Sequence, residues 1–95
     1  MSVKLSCQEQ LLPDGSLEQK WETAQSLGFS SLELRGRGEG HFAARLPELQ
    51  RARAAGVPMT SVCVDMRHFL GDFDADRRRD AVEQLCQQLT TVAAV

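Results

Sequence analysis

The chain has three cysteines, Cys7, Cys63 and Cys86, and no two of them stand in CxxC spacing. An odd, widely spaced set excludes a disulfide framework and a zinc knuckle. Long apolar runs are missing as well. No window approaches the roughly 18 consecutive apolar residues of a membrane span, and the opening MSVKLSCQEQ lacks the apolar core of a signal peptide. There is no basic excess: eleven Lys and Arg stand against thirteen Asp and Glu, for a net charge of −2. A dedicated nucleic-acid binder usually carries the opposite balance. An acidic disordered tail is excluded in turn, because 42% of the residues are hydrophobic. At 95 residues the chain is one small domain or a piece of a larger one. These absences together predict a soluble, reduced, cytoplasmic protein.

What is present is a unit repeated three times: a short apolar run, a polar loop and a helix. The runs are Val3–Cys7, Ser31–Leu34 and Met59–Val64. They are short, bounded by turn signals and partly β-branched, which predicts strands. Their starts lie about 28 residues apart, the spacing of a βα unit that returns to a parallel sheet.

The helices carry their own punctuation. Ser16 and Gln19 make an S-x-x-Q capping box, in which each side chain satisfies a free backbone N–H of the other residue. Leu17, Trp21, Ala24 and Leu27 then share one face, and Gly28-Phe29 supplies the stop. Trp21 is expected in the core between helix and sheet. Pro47 suits a first helical turn, so the second helix is predicted from Leu46 or Pro47, with Leu49, Ala52 and Ala55 in its stripe and Gly56-Val57 as its stop. Asp74 predicts the N-cap of a third helix that buries Ala81, Val82, Leu85, Leu89 and Val92, with Cys86 beside that stripe. No Gly, Asn or Pro follows Val92. The chain therefore reads as cut inside or just after this helix.

The predicted fold class is α/β, with three parallel βα units spanning residues 1–95. Three units do not close a sheet, whereas eight do, at about 250 residues. An open doubly wound sheet is the competing architecture, but no G-x-G-x-x-G follows the first strand.

Lys4-Leu5-Ser6-Cys7-Gln8, then Ser16-Leu17-Glu18-Gln19-Lys20, then Leu27-Gly28-Phe29 leading into Leu32-Glu33-Leu34, resemble the opening of the xylose-isomerase-like TIM-barrel family, the sugar phosphate isomerase/epimerase group. Ala55-Gly56-Val57 entering the third strand is similar to that family too. The resemblance spans the chain and about the first three-eighths of the family's barrel. It implies the N-terminal part of a (β/α)8 barrel with a divalent metal at its C-terminal mouth, acting on a sugar or polyol by proton transfer next to a carbonyl. The metal ligands of the isomerase branch lie mostly on later strands. The 95 residues alone are thus expected to be inactive, to bind no metal, and to supply barrel wall and part of the substrate pocket. Endonuclease-type relatives use the same barrel, which leaves a metal hydrolase as an alternative, and a non-catalytic fragment is a third. No nucleic-acid or membrane partner is expected.

Active sites of such barrels lie at the C-terminal ends of the strands. That placement makes Gln8, Glu33, Arg35, Asp65 and His68 candidate substrate-binding residues, with Cys7 beside them. Glu33 interrupts an apolar strand, so it either binds substrate or pairs with Arg35 or Lys4. Asp65 and His68 are a candidate acid/base or metal pair, or a capped turn with a solvated His. Arg35-Gly36-Arg37-Gly38-Glu39-Gly40 reads as a mobile loop, with a phosphate or acidic-sugar cradle as the alternative. It is not a P-loop. Arg77-Arg78-Arg79, among Asp72, Asp74, Asp76 and Asp80, reads as a solvated helix face. Cys7 and Cys63 are placed to approach across the middle strand, with buried thiols the default. Finally, three parallel strands leave two unpaired edges, and an inner face of Leu, Val and Cys would meet water. Self-association, or docking of the remaining barrel, is expected.

Overall fold

In the structure, a computed structural model, residues 3–95 are described. Strand β1 (Ser6–Gln8) leads through a single 3-10 turn at Glu9–Leu11 to helix α1 (Leu17–Ser26). Then come β2 (Ser31–Arg37), the short helix α2 (His41–Ala44), α3 (Leu46–Ala54), β3 (Met59–Asp65) and α4 (Ala75–Ala94). The strands form one parallel sheet in the order β1-β2-β3. The chain is therefore mixed α/β, with βα units that follow one another across the sheet.

The predicted caps are present. The Ser16 hydroxyl accepts from the Gln19 N–H at 3.1 Å while the Gln19 side chain accepts from the Ser16 N–H at 2.8 Å. The Asp74 carboxylate accepts from the Arg77 N–H at 3.0 Å. Gly28 and Gly56 end α1 and α3 with φ of 93° and 86°, values that an L side chain adopts only with strain. Phe29 and Val57 then donate their N–H groups back to Ala24 and Ala52, each at 3.0 Å.

Strand alternation sorts the residues onto two faces. Cys7, Leu32, Leu34, Gly36 and Val62 lie on one face, and α1 and α3 cover it with Leu17, Ala24, Leu49 and Ala52. Leu32, Leu49 and Phe42 are the largest fully buried side chains, each worth about 1.5–3 kcal/mol of apolar burial. Helix α4 lies on this same face. The Gln88 amide donates to the Gly36 carbonyl at 3.1 Å, and a Cβ at Gly36 would stand 2.6 Å from both Gln88 Oε1 and Val62 Cγ1. Any larger residue there would force Gln88 and Val62 to shift.

Several expectations are corrected. Strand β1 begins at Ser6 rather than Val3. Its first residue pair is Ser6 with Ser31, and before that pair the one backbone bond across, among the described residues, is from the Ser30 N–H to the Leu5 carbonyl at 2.7 Å. The Arg-Gly segment is not a loop at its start: β2 runs on through Arg37, paired with Val64 and Asp65 of β3. Trp21 does pack against the core, half-buried. Cys7 and Cys63 do not approach, since Cys7 faces the helices while Cys63 pairs with Arg35 on the other side; all three cysteines are free. The apolar stripe of α4 is only partly used. Ala81 is buried, but Val82, Leu89 and Val92 are 51%, 59% and 45% exposed, while Gln88 and Thr91 are buried and Cys86 is exposed. A groove of about 320 Å³ separates that stripe from β3, lined by Leu34, Val62, Val64, Leu85, Leu89 and Val92 among others. The Leu and Val side chains of the strands therefore do not form an apolar inner face. The side away from the helices is polar.

Candidate functional site

The open face of the sheet carries a row of hydrogen bonds across all three strands. Gln8 on β1 donates its amide to Glu33 Oε1 at 2.9 Å, and Ser61 on β3 donates its hydroxyl to Glu33 Oε2 at 2.7 Å. Gln10 extends the row by donating to Gln8 Oε1 at 3.2 Å. The register explains it, because Gln8, Glu33 and Ser61 are direct neighbours on adjacent strands. The hydrogen bonds from Gln8 and then Ser61 hold the Glu33 carboxyl below the usual glutamate range, against a smaller opposing effect of burial. One step toward the C-terminal ends, Arg35 Nη2 meets Asp65 Oδ2 at 3.3 Å, with both side chains about half exposed.

Four of the five predicted residues thus share one face, in two contacting pairs: Gln8 with Glu33, and Arg35 with Asp65. The alternatives for Glu33, pairing with Arg35 or Lys4, are not what the structure has; its partners are neutral donors. His68 is separated from the group. Its Nδ1 lies 2.8 Å from Asp80 Oδ2 on α4, so Asp65 and His68 make no acid/base or metal pair. Cys7 drops out because it is buried under the helices.

Sequence reasoning missed Glu9. Its side chain is almost wholly buried, and the carboxylate binds the Arg45 guanidinium through both oxygens, Nη2 to Oε1 at 2.8 Å and Nη1 to Oε2 at 2.9 Å. The same Oε2 accepts from the Arg35 backbone N–H at 2.7 Å, and Arg45 Nη1 donates to the Arg35 carbonyl at 3.2 Å. Glu48 binds Arg45 Nε at 2.6 Å. Burial alone would lower the Arg45 pKa, but the hydrogen bonds that Arg45 donates to Glu9 and Glu48, together with their negative charges, outweigh it and hold the guanidinium above its ordinary value. This buried fork fixes the backbone of β2 at Arg35, between the two contacting pairs. Its only trace in the sequence is an acidic residue directly after the first strand, indistinguishable there from a solvated one.

Among the described residues no group of three or more His, Cys, Asp and Glu converges as a metal site would. The chemistry of the donors agrees. Both Glu33 oxygens accept hydrogen bonds, Asp65 is paired with Arg35, and His68 turns to Asp80. These residues do not fit a divalent metal, and no catalytic step is drawn through one. What the face offers is a charged acceptor flanked by amide, hydroxyl and guanidinium groups. No helix among the described residues is long and apolar enough to cross a membrane. Compared with known proteins, the chain matches no family model, and no curated protein matches it significantly.

Proposed function

We propose that this chain is the N-terminal part of a (β/α)8-barrel sugar or sugar-phosphate isomerase or epimerase of the cytoplasm, to which it contributes barrel wall and part of the substrate pocket. The observation that carries the reading is the Gln8–Glu33–Ser61 row, a polar, hydrogen-bonded strip on the face that a barrel turns inward. The row starts at the C-terminal end of β1, and Arg35 and Asp65 continue the polar face toward the C-terminal ends of β2 and β3, where barrel sites lie. The placement of α1, α3 and α4 on the other face supports it, since a doubly wound sheet puts helices on both. In this reading Glu33 accepts from substrate hydroxyls, Gln8 and Ser61 hold its carboxylate in place, and Arg35 donates to the sugar oxygens. The divalent metal is assigned to strands beyond these three, and so is the proton transfer.

A nitrogen-15 NMR titration with a panel of pentoses, hexoses and polyols tests the reading. It predicts that one or more members shift Gln8, Glu33, Arg35 and Ser61 together, and that Glu33→Gln removes the response without lowering the melting temperature. A panel that moves no residue of this row, or moves only residues on the helix side, refutes it.

A further inference from the structure

We infer that the hollow beside the end of β2 binds a terminal phosphate dianion, held by Arg37 and Lys20 with His41 alongside. The hollow has a volume of about 280 Å³, and Lys20, Arg35, Arg37, His41 and Arg45 line it together with Glu9, its one carboxylate. Counting ion pairs shows which charges are free. Arg45 is held by Glu9 and Glu48, and Arg35 by Asp65. In the adjoining hollow, where Arg37 and His41 also reach, Asp65 is taken by Arg35 and Glu39 by Arg67. Arg37 and Lys20 make no ion pair among the described residues. Two uncompensated cations lining one hollow match the charge of a phosphate or phosphate monoester at neutral pH, and the guanidinium of Arg37 offers a planar fork to two of its oxygens.

The backbone explains why Arg37 is held ready. Residues two apart on a strand share a face, so Arg35 and Arg37 both point away from the helices. Gly36 between them is pressed against Gln88 and Val62, which keeps β2 regular to its end. The Gly38 N–H then donates to the Asp65 carbonyl at 2.8 Å, tying the strand end to β3. The Arg-Gly alternation is a device for presenting two guanidinium groups on one face while α4 lies on the other. The site does not depend on the sugar reading, because phosphate alone can occupy it.

The experiment is calorimetric titration of the full 95-residue chain with inorganic phosphate at low ionic strength. One saturable equivalent is expected, with a Kd of about 1 mM or tighter. Arg37→Gln and Lys20→Gln should each weaken binding about tenfold, the loss of one charge-assisted hydrogen bond. Arg37 makes no side-chain hydrogen bond or ion pair among the described residues, and circular dichroism of the variant verifies that the fold is kept. Arg77→Gln makes the same change of net charge on α4 and should leave binding unchanged. Glycerol phosphate in parallel separates the sources: tighter binding than phosphate assigns the site to an ester, equal or weaker binding to the free ion. A wild-type chain that does not saturate, an Arg37→Gln chain that binds like wild type, or an Arg77→Gln chain weakened as much as Arg37→Gln overturns the assignment.

Discussion

Replacing Glu9 with alanine is expected to cost about 3–5 kcal/mol, the loss seen when one partner of a buried ion pair is removed. The reason is what remains behind. Arg45 would keep a largely buried guanidinium with Glu48 as its one anionic partner and the Arg35 carbonyl as a neutral one, and the Arg35 N–H would lose its acceptor. A domain of this size holds about 5–15 kcal/mol in all. At roughly 4–8 °C per kcal/mol, the melting temperature should fall by more than about 10 °C. Glu9→Gln, which keeps the shape and an acceptor, should lose less. Replacing both partners, Glu9→Met with Arg45→Met, should lie closer to wild type than Glu9→Ala, because no charge is then stranded. Urea denaturation at one fixed protein concentration measures all three variants. A Glu9→Ala chain within about 1 kcal/mol of wild type would mean that the fork is solvated and organises nothing.

Phe42→Ala should be equally damaging, at about 3–5 kcal/mol, since it empties the volume of a fully buried ring. Phe42 sits on α2, which touches β2, α3 and α4. Its ring lines both the groove beneath α4 and the small gap beside Gln84 and Gln88. The loss should therefore appear locally before it appears globally. Amide exchange at Gly38 to Ala44 and along the Gln84–Gln88 turn of α4 should quicken most, while α1 keeps its protection. Phe42→Leu, which conserves much of the volume, should lose only about 1–1.5 kcal/mol. Uniform loss of protection across the chain would show that α2 is an integral part of one cooperative unit rather than a clamp on α4.

Much of the fold was legible because it depends on local signals. The capping box at Ser16 and Gln19, the cap at Asp74 and the glycine stops at Gly28 and Gly56 each depend on residues within five positions of one another, and each is where it was expected. What was not legible depends on distant partners. The end of β2 reads as a loop because Gly36 and Gly38 suit one; pairing with Val64 of β3 makes Gly36 a strand residue, and the Gln88 side chain, 52 residues on, packs against it. Helix α2 is four residues long, too short for periodicity to mark. Val82, Leu89 and Val92 have the spacing of a buried stripe, yet periodicity cannot say whether a neighbour is there to cover it. The candidate site divides in the same way. Strand ends placed Gln8, Glu33, Arg35 and Asp65 together, whereas the burial of Glu9 and the turn of His68 toward Asp80 depend on tertiary contacts that no spacing encodes.

The proposal that these three units belong to a larger closed sheet rests on what they leave uncovered. The outer edge of β3 has no partner strand among the described residues, and the groove beside it exposes Val64, Leu89 and Val92. Unpaired edges recruit further strands, and in the completed barrel the next βα unit would cover both features. Without it, the same edge and groove are expected to bring copies of this chain together. Sedimentation velocity of the 95-residue chain at micromolar concentration, read alongside its thermal transition, is the direct test. The account predicts self-associated species whose stability rises with protein concentration. A monodisperse 10.5 kDa monomer that melts in one cooperative, concentration-independent transition would show that three units suffice, and would contradict it.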